Sequence, residues 1–126
     1  MVVRTVSARH KILLVDDSAL VRAVVVHALS ASGFEVRTVE DPRAIDAAVA
    51  QDRPDLLLVD ATFPGVSDDT LVDAIARHSG AMPVVLFSDR PDAEVKGIVE
   101  RSGARGSVPK DGATLAERIT TFLAAS

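Results

Sequence analysis

Six side chains suited to acid, metal or phosphoryl chemistry stand directly behind apolar runs in this sequence. Asp16 and Asp17 follow ILLV, Asp60 follows LLLV, Ser88 and Asp89 follow VVLF, and Lys110 follows the weaker stretch ARGSVP. Three carboxylates gathered in one place repel one another, and burying them unpaired is costly, so a cation is expected among them. A donor set of oxygens, without His or Cys, selects a hard ion, and Mg²⁺ keeps several waters beside a few carboxylates. Lys110 can neutralise one carboxylate and reach an anion bound beside the metal. A metal, an ammonium and a hydroxyl around a carboxylate are the parts that stabilise a transferring phosphoryl group. An aspartate so placed can itself attack, giving an aspartyl phosphate.

That chemistry needs a scaffold that gathers residues far apart in the chain. ILLV (12–15), LLLV (56–59) and VVLF (84–87) are unbroken rather than alternating, which suits strands covered on both faces by helices. Residues 35–39 add a strand, and 104–109, with Gly106 and Pro109, fits a sheet edge. Between them, Leu20, Val21, Val24, Val25, Ala28 and Leu29 predict one wide inward stripe, capped by Asp17 or Ser18 and stopped at Gly33. Asp41-Pro42 opens a second helix, with Ile45, Ala48 and Val49 inward. Three more helices are expected over 68–78, 91–101 and 112–125. Five βα units with short connections predict an α/β, (βα)5 three-layer sandwich: a doubly wound, five-stranded parallel sheet of order 2-1-3-4-5. Ligands of such sheets bind at the carboxyl ends of the strands, where all six residues fall. A tail over residues 1–10 precedes the single domain, 11–126.

Composition narrows the function classes. A net charge of −4 with no Trp or Tyr argues against nucleic-acid binding, by electrostatics or by stacking. The absence of Cys removes thiol chemistry and disulfides. No apolar run is long enough to cross a bilayer and the first residues lack a signal-peptide core, so a cytoplasmic location is expected. His10, His27 and His78 are scattered, without metal-ligand or triad spacing. Each rim residue also has an ordinary reading: Asp16, Asp17 and Ser18 as a helix cap, Ser88 as a turn residue, Lys110 as a surface lysine. Their joint placement at one rim favours chemistry.

In ILLVDDSALVR, PDLLLVDATFPG, MPVVLFSD and SGARGSVPKDG the sequence resembles the receiver domains of two-component response regulators, over residues 11–125. The spacings of 43 residues from Asp17 to Asp60, 28 to Ser88 and 22 to Lys110 carry the resemblance as a set. It implies a flavodoxin-like fold close to that of chemotaxis regulators. It also implies that Asp60 is the phosphoacceptor, that Asp16 and Asp17 hold Mg²⁺ with Asp60, and that Thr62 lends the metal a backbone carbonyl. Ser88 and Lys110 would bond the phosphoryl group, and Pro64 would shape the adjoining loop. The implied donor is a histidine kinase or histidine phosphotransfer protein, and the implied output is contact with another protein. Catalysis would extend to the domain's own phosphorylation and dephosphorylation, not to a diffusible product.

Some residues depart from the family pattern. Ser107 replaces the aromatic ring usual three residues before the lysine, Asp89 stands where a small residue is usual, and Asp68 takes the place of a glycine. Output is therefore expected through Ser88, the loop before Pro91 and the fourth helix, rather than through a rotating ring. Ala19, Arg22, Ala23 and Val26 are expected to form the kinase-facing side of the first helix. The alternatives are a pseudo-receiver that docks partners without phosphorylation, supported by Asp89 and Ser107, and an α/β enzyme sharing only the fold.

Overall fold

The computed structural model describes residues 9–125, so the tail expected over 1–10 lies outside the described residues except for Arg9 and His10. The strands are β1 (Lys11–Val15), β2 (Glu35–Val39), β3 (Leu56–Asp60), β4 (Val84–Phe87) and β5 (Gly106–Val108). All four pairings are parallel, and the sheet runs β2-β1-β3-β4-β5, as expected. The helices are α1 (Ala19–Ala31), α2 (Ile45–Asp52), α3 (Asp68–Ser79), α4 (Asp92–Ser102) and α5 (Leu115–Ala124).

The unbroken apolar runs become the three central strands because side chains alternate between two covered faces. Leu13, Val15, Leu57, Val59, Val84 and Leu86 pack on α2, α3 and α4 through Ile45, Leu71, Ile75, Val95 and Ile98. Ile12, Leu14, Leu56, Leu58, Val85 and Phe87 face the other way, against Val25 and Leu29 of α1 and Leu115 and Ile119 of α5. Each such side chain taken fully from water contributes about 1.5–3 kcal/mol. This two-sided core makes the sheet a stiff base for its carboxyl-end rim.

Local signals set the helix ends. Ser18 and Ser67 cap α1 and α3, accepting from the Val21 and Thr70 amides. Gly103 closes α4 at φ +79°, and a Cβ there would come within 2.7 Å of Ser79 Oγ, so only glycine fits without strain.

Three expectations are corrected. The second helix begins as a 3-10 turn, Pro42–Ala44, before α2. Helix α5 begins at Leu115 rather than 112, because Asp111 accepts from the Ala113 amide and closes a turn instead of a helix. In α1, Leu20 is 75% and Val24 53% exposed, while only Val25 and Leu29 are buried. Apolar residues cover so much of α1 that periodicity cannot choose the inward face. Packing over Ile12, Leu14 and Phe34 chooses it.

Candidate functional site

Backbone hydrogen bonds carry the sheet's order one residue past the strand ends. The Asp16 amide donates to Val39 O (3.1 Å), Ala61 to Phe87 O (3.2 Å) and Ser88 to Val108 O (3.1 Å). The rim is therefore anchored to the core before any side chain contributes. Asp16 stands behind β1, Asp60 ends β3 and Ser88 follows β4 at the crevice where the winding reverses.

Asp16 is fully buried. Its Oδ1 accepts from the Ser18 amide (2.8 Å), a turn that precedes α1, whose cap is Ser18 itself, and that bond uses only one oxygen. Asp16 Oδ2 is buried without a hydrogen-bond partner, and Lys110 Nζ stands 3.7 Å away. Asp60 is nearly as buried: Oδ1 accepts from the Thr62 amide (3.0 Å) and Oδ2 from Lys110 Nζ (3.0 Å). Asp17 is exposed at the open side. One carboxylate oxygen from each of Asp16, Asp17 and Asp60 lies within 4.8 Å of the others.

The charges respond to this crowding. Burial pushes the Asp60 carboxyl above the ordinary carboxylate range, against the opposing Thr62 amide and Lys110 contacts and with the Asp16 charge adding to the rise. Burial alone would lower Lys110, but the Asp60 hydrogen bond and the charges of Asp60, Asp16 and Asp89 lift it above an ordinary lysine. The ammonium also lies 5.5 Å from the Phe87 ring centroid, over its face. One lysine thus faces three carboxylates. A bare, buried, hard oxygen at Asp16, together with an all-carboxylate donor set open to water on one side, fits Mg²⁺.

The remaining expected residues sit around this centre. Thr62 and Pro64 lie in the exposed loop after β3, and the Thr62 amide holds Asp60. Ser88 is buried, and its Oγ accepts from the Arg90 amide (2.9 Å). Asp89 is exposed at the mouth, its Oδ1 at 3.4 Å from the Lys110 amide. Ser107 is exposed beside a hollow of about 360 Å³ that Ser88 and Arg90 also line.

Two arginines brace the rim in roles not read from the sequence, where Arg22 was expected only on the kinase-facing side of α1. Arg22 of α1 donates to Asp16 O (2.8 Å) and Glu40 (2.9 Å), bracing the loop that carries Asp16 and Asp17. Arg90 donates to Ala61 O (3.0 Å), beside Asp60, and pairs with Asp68 and Glu94. Glu94 lies four residues on, in the first turn of α4, whereas Asp68 and Ala61 are reached only through the fold.

A family model described as the response regulator receiver domain matches residues 12–120. The transcriptional regulatory protein CseB of Streptomyces coelicolor is 32% identical over 114 residues, 89% of this chain and 48% of its own. The C4-dicarboxylate transport transcriptional regulatory protein DctD of Pseudomonas aeruginosa is 28% identical over 97 residues, 77% of this chain and 21% of its own. The chain thus spans between a fifth and a half of the length of these curated relatives. Among solved structures, the chemotaxis protein CheY4 of Vibrio cholerae superposes with a TM-score of 0.81 at 28% identity, covering 91% of this chain and 99% of that one. A response regulator from Chloroflexus aurantiacus matches with a TM-score of 0.81 at 25% identity, covering 93% and 99%. With the sheet order, the acidic rim and the matched residues in agreement, the chain belongs to the response regulator receiver domains of two-component systems, a family of signalling domains rather than conventional enzymes.

Proposed function

We propose that Asp60 accepts a phosphoryl group from a phosphohistidine of a histidine kinase or phosphotransfer protein, and that the chain signals in the cytoplasm by contact with an output protein. The carboxylates of Asp16, Asp17 and Asp60 and the Thr62 carbonyl would hold Mg²⁺, whose charge offsets that of the incoming phosphoryl oxygens. An Asp60 carboxylate oxygen attacks phosphorus, the phosphorus–nitrogen bond of the donor breaks, and the imidazole leaves with that electron pair. Lys110 and the Ser88 hydroxyl then face the transferred oxygens as a cation and a hydrogen-bond donor. Water later cleaves the acyl phosphate and restores the carboxylate.

The observation that carries this reading is the bare, fully buried Asp16 Oδ2 beside Asp60, with Lys110 Nζ shared between the two carboxylates at 3.7 and 3.0 Å. A fold that merely needed a helix cap would leave no carboxylate oxygen unpartnered there. The donor would dock on the side of α1 that carries exposed Leu20 and Val24, not on the Ala19, Arg22, Ala23 and Val26 side expected from the sequence. Those two residues and Lys110 line one apolar hollow of about 200 Å³, so a helix seated on it would bring its histidine toward Asp60.

Acetyl phosphate with Mg²⁺, followed by intact mass, tests the reading. A phosphate-sized gain that vanishes with EDTA and in Asp60→Asn is expected. No gain from acetyl phosphate or from phosphorylated kinases would replace it with a phosphorylation-independent docking module.

A further inference from the structure

The loop from β4 to α4 carries Ser88, and one side chain holds it. Every N–H of the Arg90 guanidinium is engaged. Nε and Nη2 donate to Glu94 Oε1 (3.2 and 3.1 Å), Nη1 to Ala61 O (3.0 Å) and Asp68 Oδ1 (3.0 Å), and Nη2 also to Asp68 Oδ2 (3.2 Å). The pairing with Asp68 is the two-pronged geometry that a planar guanidinium makes and an ammonium cannot. Two of the loops that meet at the site, after β3 and after β4, are thereby tied to each other and to the first turn of α3. On its β5 side the loop has little packing to rest on, because the hollow beside Ser107 lies there. Asp68 supplies the carboxylate half of this tie from the first turn of α3.

Arg90 also acts on Ser88 through its backbone. Its amide donates to Ser88 Oγ at 2.9 Å, which occupies a lone pair and leaves the hydroxyl proton to be given elsewhere. With all of its own donors spent, the guanidinium is not placed to receive an anion.

We propose that Arg90, clamped by Asp68, is a positioning residue for phosphoryl chemistry at Asp60: it holds the Ser88 hydroxyl and the backbone of Ala61 in the arrangement that receives a phosphoryl oxygen. This rests on the receiver reading above. Losing the clamp leaves the carboxylates intact and the hydroxyl misplaced, so metal binding and phosphoryl binding separate.

The experiment compares the parent chain with Arg90→Met, Arg90→Lys, Asp68→Asn and the double variant Arg90→Met/Asp68→Asn. Calorimetry measures Mg²⁺ affinity alone, then beryllofluoride affinity at saturating Mg²⁺. Expected are Mg²⁺ affinities within about twofold of the parent throughout, and beryllofluoride affinities about three- to tenfold weaker in Arg90→Met and Asp68→Asn, with Arg90→Lys between. The double variant should be no weaker than Arg90→Met, because both changes remove one shared interaction. Unchanged beryllofluoride affinity in Arg90→Met, a parallel loss of Mg²⁺ affinity, or additive losses in the double variant would each overturn the proposal. Should Arg90→Met fail to fold, Asp68→Asn and Arg90→Lys carry the same comparison. A parent that takes up no beryllofluoride overturns the receiver reading and this proposal together, whereas normal uptake in both the parent and Arg90→Met overturns this proposal alone.

Discussion

Replacing Asp60 with Asn removes one charge from a rim where three carboxylates crowd a single lysine. At an effective dielectric constant of about 20, two unit charges 4.8 Å apart repel by about 3.5 kcal/mol, and the 3.0 Å contact with Lys110 attracts by about 5.5 kcal/mol. Repulsion from the buried Asp16 therefore offsets a large part of the lysine's attraction, solvent screens the exposed Asp17, and the burial of Asp60 decides the sign. Asn keeps the shape and the hydrogen bond from Thr62, so a net stabilisation of about 1–2 kcal/mol is expected without metal. In a domain of this size that raises the melting temperature by about 3–8 °C. Thermal unfolding followed by circular dichroism in EDTA at pH 7 reads it directly. The pH dependence has a definite sign. The folded-state pKa of Asp60 is raised, so the penalty is fully present above that raised value and disappears as pH falls through it toward the ordinary carboxylate pKa. The gap between Asn and parent should therefore narrow on acidification. Saturating Mg²⁺ should narrow it too, because a ligand at 100 times its Kd stabilises the parent by about 2.7 kcal/mol and the variant by less. An Asp60→Asn chain less stable than the parent in EDTA, or a gap that widens toward low pH, would refute the reasoning.

Asp17→Ala should weaken Mg²⁺ binding at least about tenfold in calorimetry, since an exposed carboxylate of the cluster is lost without disturbing the core. Asp89→Ala should quicken phosphorylation by acetyl phosphate about two- to fivefold at low salt, with the gain fading as salt screens the mouth of the site. Leu20→Glu should leave acetyl phosphate labelling intact while cutting transfer from a phosphohistidine partner at least about tenfold, as measured by loss of the partner's label. Gly103→Ala should cost about 1–2 kcal/mol in urea unfolding, because an L-residue at φ +79° is strained and its Cβ meets Ser79.

Much of the fold was legible because burial on two faces leaves a direct mark. ILLV, LLLV and VVLF can hardly be anything but central strands, and the residue after each run must fall at the carboxyl-end rim. That logic located Asp16, Asp60 and Ser88 without coordinates. It failed where a choice depends on what lies opposite. Leu20 and Val24 continue the apolar pattern of α1, yet the helix turns them outward, because Val25 and Leu29 already cover that face of the sheet. The start of α5 was misplaced because the Asp111 turn competes with a helix over a sequence compatible with both. The Arg90 clamp was hidden for another reason. Asp68 stood out as a replaced glycine and Arg90 not at all, and only the meeting of two loops makes them a pair. The bare oxygen of Asp16 could not be read from its neighbours in sequence, since it depends on which groups fail to reach it.

The central claim is that Asp60, and no other residue of the rim, carries the phosphoryl group. It is tested most directly by locating that group. The chain is labelled with acetyl phosphate and Mg²⁺ and reduced at once with borohydride, which converts an aspartyl phosphate to homoserine, and its peptides are then sequenced by mass spectrometry. Homoserine at position 60, absent when EDTA replaces Mg²⁺, is the expected result. Homoserine at position 16, 17 or 89, or an unmodified position 60 in a chain that has gained a phosphoryl group, would contradict it.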